Sequence, residues 1–242
     1  VDEVHVSFAA FRPLGFSRST ANVALWDFDP ANRQLRFWRD GAYHSAAPFS
    51  SERVVAFPAP IGRQSVFSVA PEETQFLPSS LGAREVHARG CFPPDVMQML
   101  RGLVGLGLIT RELVHVQGQT MPFWDLLCDT LPQLPGSRST PIWSYGLHVE
   151  VTGMRAGQKH RLRAYTLPPS TDTWPIPQVY SNHIGLPMAV GVELLAARKF
   201  HGAGLKGPES FFRAADFLSG LAARGIHSVL EEDGQQVSVY SA

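Results

Sequence analysis

Residues 184–225 read IGLPMAVGVELLAARKFHGAGLKGPESFFRAADFLSGLAARG, two apolar helical runs joined by a glycine-rich turn. Pro187 suits the first position of a helix, where its missing N–H has no partner to lose. Met188, Val192 and Leu195 then recur at helical spacing, and Gly202 or Gly204 supplies a stop. A second helix opens at Gly207-Pro208, stacks Phe211, Ala215, Leu218 and Ala222 on one face, and closes at Gly225. On physics alone these are two core helices of an α+β domain.

The rest of the chain supplies their sheet. Val4, Val6 and Phe8 alternate with His5, Ser7 and Ala9, the pattern of a half-buried strand. Ser19 or Thr20 caps a short helix through Ala24, Leu25 and Trp26. Asp40-Gly41 marks a hairpin, and residues 54–57, 66–69 and 85–89 read as further short strands. Pro93-Pro94 starts a helix carrying Val96, Leu100 and Leu103. Thr120 is placed to cap the next, with Pro122 early in it and Trp124, Leu127 and Leu131 on its inner face. Residues 132–141 form a proline-rich loop. Tyr145, Leu147, Val149 and Val151 begin the clearest hairpin, which returns over 160–167, and Asp233-Gly234 turns a closing one. The irregular order of elements predicts an α+β fold with a mixed, largely antiparallel sheet covered by helices, spanning 1–242 as one domain.

Lysine plus arginine equals aspartate plus glutamate at 21 each, so no net field draws in nucleic acid or an anionic membrane. No apolar run reaches transmembrane length and no signal-peptide pattern opens the chain. With only two cysteines, Cys91 and Cys128, there is no disulfide framework, and a cytoplasmic protein is expected. The chain begins at Val1 rather than methionine, as an excised piece would. No Gly-x-Gly-x-x-Gly turn, phosphate loop, His-Glu-x-x-His or Gly-x-Ser-x-Gly is present. His148 and Glu150 share a strand face that reads as solvated, and Cys91 reads as packed.

The order of three segments resembles the end of saccharopine dehydrogenase-like proteins: Leu186-Pro187-Met188-Ala189-Val190-Gly191, then Lys206-Gly207-Pro208-Glu209, then Arg224-Gly225-Ile226. Val149-Glu150-Val151-Thr152-Gly153 is similar to that family's Val-x-Val-x-Gly hairpin, and Arg89-Gly90 to its Arg-x-x-Gly segment. The resemblance implies a catalytic and dimerising domain, similar in architecture to the C-terminal domain of glyceraldehyde-3-phosphate dehydrogenase. It also implies NAD or NADP bound by a Rossmann domain absent from this chain, a small amino-acid-like or carboxylate substrate, and a homodimer. The implied reaction is hydride transfer at a C–N bond. A stand-alone ligand-binding or dimerisation module is the alternative. For the substrate, Arg89 offers a guanidinium fork at a strand end. Tyr180, Ser181, Asn182 and His183 form a polar quartet before a helix, where N–H groups attract an anion and a histidine near pKa 6.5 can shuttle a proton. Arg161, Arg163 and Trp174 are weaker candidates, the two arginines reading as solvated.

Overall fold

The computed structural model describes residues 1–11, 17–70, 73–133, 144–170, 174 and 181–240. Its strands in chain order are β1 (Glu3–Phe11), β2 (Arg36–Arg39), β3 (Ala42–Ser45), β4 (Arg53–Ala56), β5 (Arg63–Ser68) and β6 (Glu85–Cys91). They continue with β7 (Leu113–Val116), β8 (Gln119–Pro122), β9 (Ser144–Arg155), β10 (Gln158–Thr166), β11 (Ser228–Glu232) and β12 (Gln235–Tyr240). The helices are α1 (Arg18–Asp27), α2 (Glu73–Leu81), α3 (Pro94–Gly105), α4 (Phe123–Thr130), α5 (Asn182–Ala196), α6 (Pro208–Phe211) and α7 (Ala214–Ala222). None is long and apolar enough to cross a membrane.

The main sheet runs β12-β11-β10-β9-β1-β6-β2-β3, with β5 also joining β6 and folding back on β4. β1 and β6 are parallel and the remaining pairs antiparallel. This is the expected mixed α+β architecture. β1 lies in its middle, so both its faces are covered: His5 and Ser7 are buried as well as Val4. The half-buried reading of β1 is therefore corrected by its central place, which alternation alone does not reveal.

The two faces of the sheet differ. Val4, Val6, Val86 and Val151 lie on an apolar face and pack with Leu77 of α2, Trp38 and Ala83. At the C-terminal ends of β1 and β6 a larger core joins Ala9, Phe11 and Cys91 to α1, α3, α4 and the β4–β5 ribbon. Leu25, Phe28 and Leu100 are fully buried there, each worth about 1.5–3 kcal/mol of transfer free energy. A third cluster gathers Val190 and Leu194 of α5, Leu221 of α7, Ile226 and Trp174.

Several boundaries differ from expectation for local reasons. Ser17, not Ser19 or Thr20, caps α1: its Oγ accepts from the Thr20 N–H, and Thr20 Oγ1 accepts from the Ser17 N–H. Thr120 pairs in the β7–β8 hairpin, and α4 begins after Pro122. Pro187 lies inside α5, which begins five residues earlier because the Ser181 carbonyl already accepts from the N–H groups of Ile184 and Gly185. That helix ends at Ala196, before Gly202, with Arg198 at φ 56°. The expected second helix is two, α6 and α7, separated by extended backbone at Phe212 and Arg213. Most of the expected 132–141 loop lies outside the described residues.

Candidate substrate-binding site

Gly90 is the residue that lets one end of the sheet become aromatic. It stands opposite Phe8 in the parallel pair, and a Cβ there would lie 2.3 Å from the Phe8 ring. With no side chain in the way, Phe8 lies across β6, stacks on Tyr145 at 6.4 Å and meets Phe92 edge-on at 6.0 Å. The His183 ring, in the first turn of α5, tilts against Tyr145 at 4.7 Å, and Trp174 meets it edge-on at 5.3 Å.

The motif 224–226 fixes this arrangement from behind. The Trp174 indole N–H donates to the Arg224 carbonyl at 2.7 Å. Gly225 sits at φ +80°, where a Cβ would meet the Ser170 carbonyl oxygen at 2.1 Å. Its own carbonyl accepts from the Ser170 N–H at 2.9 Å. Arg224 reaches both carboxylate oxygens of Glu193 on α5 at 2.6 Å, so the closing turn and α5 are held in register.

Ser181 ends the approach to α5 exposed, and its side chain makes no capping bond. Asn182 and His183 follow as the first two helical residues, both half-buried. The start of a helix is in general a place where N–H groups point at an anion. Burial pushes the His183 imidazole down to about 4, so it is neutral at pH 7. The expected proton shuttle near 6.5 therefore does not hold for this environment. A neutral ring wedged between Tyr145 and Trp174 can orient a ligand or donate a hydrogen bond. Tyr180 lies outside the described residues.

Arg89 is elsewhere. It projects from the opposite face of the sheet, paired with Ser7, while Tyr145 and His183 are on the Phe8 face. One small ligand cannot touch both Arg89 and His183 without crossing the sheet.

The Arg89 face carries a polar row that sequence alternation marked only in part. Phe37, His87, His5, Glu150, Arg163 and Glu231 follow one another across β2, β6, β1, β9, β10 and β11. His148 and Glu150, expected to be solvated, are each 6% exposed. The β4–β5 ribbon causes this: Arg53 reaches Glu150 at 2.5 Å, and Phe57 lies 6.3 Å from the His148 ring. Arg161 also reaches Glu150, at 2.8 Å from Nε, and Arg163 reaches Glu231 at 3.0 Å, so both arginines are paired rather than simply solvated. Burial raises the Glu150 carboxyl, but hydrogen bonds from Arg53 and Arg161 outweigh it and hold the group below the usual range. Burial, then Arg163, pushes His148 down to about 4; burial, then Arg89, does the same to His87.

His160, Glu232 and Asp233 approach one another within 4.8 Å at the β10–β11 edge. There Arg155 pairs with Glu232, and the Arg161 N–H donates to Asp233 at 2.8 Å, so the cluster acts as a clamp on two hairpins. Cys91 and Cys128 are both free and buried, and burial pushes the Cys91 thiol up to about 12.

No family model and no curated protein matches the chain by sequence. Its fold is similar to that of the apo, histidine-tagged, L-Glu-forming saccharopine dehydrogenase of Saccharomyces cerevisiae. The TM-score is 0.56 at 12% identity, over 98% of this chain and 67% of that one.

Proposed function

We propose that the chain is the substrate-binding and dimer-forming domain of a saccharopine dehydrogenase-like, NAD(P)-dependent oxidoreductase acting at a C–N bond of an amino-acid-like substrate. The observation that carries this reading is the likeness of fold to a saccharopine dehydrogenase over 98% of the chain. One of the three motif segments supports it independently, since Arg224 and Gly225 hold Glu193 of α5, Trp174 and Ser170 in place. In this reading a substrate carboxylate lies at the start of α5, with Ser181 and Asn182 around it. The neutral His183 ring and Tyr145 form the wall.

Among the described residues, the turn after β6 does not fit a dinucleotide. It follows the parallel pair β1–β6 and reads Phe92-Pro93-Pro94, with Phe92 buried and no capping side chain at α3. Two prolines remove N–H groups that a pyrophosphate would need. The nicotinamide belongs to another domain, and no chemical step is assigned here.

An exposed apolar stripe on α5 supports the homodimer. Ile184, Met188 and Val192 are each more than half exposed at helical spacing, followed by Leu195. The same reading makes the enzyme cytoplasmic. Isothermal titration with L-glutamate tests the substrate half. Saturable binding that Asn182→Ala weakens is expected, and heat independent of that variant overturns the reading.

A further inference from the structure

The sheet carboxylates on the Arg89 face are engaged. Glu85 holds Arg39 and His87, Glu150 holds Arg53 and Arg161, Glu231 holds Arg163, and Glu3 meets His5. Arg89 itself has no carboxylate within 4.0 Å among the described residues, although it is only 7% exposed. Its Nε donates to the Ser51 carbonyl at 2.8 Å, and Nη1 donates to His5 Nδ1 at 3.1 Å. That fixes the His5 tautomer, leaving Nε2–H to donate to Glu3 at 3.1 Å. A guanidinium has about five N–H donors. Two are used on neutral acceptors, so three remain, on a cation that burial would ordinarily exclude unless an anion met it.

Two buried hydroxyls without partners belong to the segments that meet it. Ser68 stands directly opposite Arg89 in the β5–β6 register and is 3% exposed, and its buried Oγ has no hydrogen-bond partner. Directly opposed side chains share a face with Cβ atoms about 5 Å apart. The Ser50 carbonyl accepts from the Ser68 N–H at 3.1 Å, and the Ser50 hydroxyl is likewise buried and unpartnered. His87 Nδ1, two residues along the same face of β6, is a third such atom. The loop that brings Ser50 and Ser51 here holds two non-glycine residues in the left-handed region, Phe49 at φ 59° and Ser51 at φ 54°. Strain of that kind persists where the surroundings over-determine it. Glu52, next in the chain after Ser51, is exposed, and the Arg53 side chain is 32% exposed.

We propose that Arg89, Ser68 and Ser50 form a binding site for a small oxyanion, a carboxylate or a phosphate group, separate from the site at the start of α5. The remaining guanidinium N–H groups take two of its oxygens side by side, as the fork geometry favours. The two hydroxyls donate to the oxygens facing β5, and the anion meets Arg89 directly, which no described carboxylate does. The inference stands on this cluster alone and does not depend on the oxidoreductase reading.

The test follows the Arg89 Nε–Hε resonance of the isotope-labelled chain while inorganic phosphate and acetate are titrated separately. A saturable shift in at least one arm is expected, and the tighter arm identifies the group for which the site is built. Ser68→Ala, the smallest change available, should overlay the wild-type spectrum elsewhere and weaken that binding about tenfold. Arg89→Lys, which keeps the charge but loses the fork, should weaken it further. Absence of a saturable shift with either anion up to on the order of 100 mM, or unchanged affinity in Ser68→Ala, overturns the proposal.

Discussion

Acidification from pH 7 to pH 5 should destabilise the chain far more than its modest charge suggests, because buried histidines are held neutral. His87 stacks on Phe37 at 4.4 Å with Glu85, Arg89 and His5 around it. His148 lies between Phe57 and Tyr165 with Arg163, Glu150, Arg53 and Arg161 nearby. Both are pushed from 6.5 to about 4. A folded pKa below the unfolded one means that the unfolded chain takes up the proton first. The stability these groups contribute is therefore complete above pH 6.5 and lost as pH falls towards 4. Each loses about 2 kcal/mol between pH 7 and pH 5, so the pair loses about 4 kcal/mol against a total of roughly 5–15. Glu85, held at about 2 by Arg39, gives up its contribution only below the usual carboxyl value of 4.5 and leaves this window alone. Urea unfolding at the two pH values measures the difference. His148→Gln should be less stable at pH 7 yet lose about 2 kcal/mol less on acidification. A stability equal at pH 7 and pH 5, or histidine resonances titrating near 6.5, would refute the reasoning.

Three further changes probe other parts of the fold. Gly225→Ala must place a Cβ against the Ser170 carbonyl at positive φ, and thermal unfolding should show a loss of about 3 kcal/mol or more. Glu150→Gln leaves Arg53 and Arg161 without their carboxylate. Since both arginines keep solvent contact, denaturant unfolding should show about 2 kcal/mol lost, below the cost of breaking a fully buried pair. Cys91, with its thiol pushed up to about 12, should resist iodoacetamide at pH 8 in the native protein and react once urea is added.

What could be read along the chain was whatever short-range chemistry dictates. Asp40-Gly41 and Asp233-Gly234 both adopt positive φ at both positions, as their composition requires. Gln117-Gly118 makes the same kind of turn, but glutamine carries no turn signal, so the sequence does not reveal the β7–β8 hairpin that holds Thr120. Pro187 misled because proline favours helix starts, whereas this helix was already nucleated at Ser181. At the site, the polar quartet 180–183 is legible from the sequence as lying close to a helix start, but the partners of His183 are not. Tyr145 and Trp174 arrive from 38 and 9 residues upstream (183 − 145 and 183 − 174). Nor could alternation along β9 show that a ribbon folded from 53–68 would bury His148 and Glu150, or that Arg89 and His183 end on opposite faces.

The most direct measurement is an amide-resolved titration of the chain with an amino-acid dicarboxylate and, separately, with NADH. The account predicts saturable shifts confined to residues around 181–185 and Tyr145 with the former, and no saturable shift with NADH. Saturable NADH binding to this chain, or dicarboxylate shifts that avoid the start of α5, would contradict it.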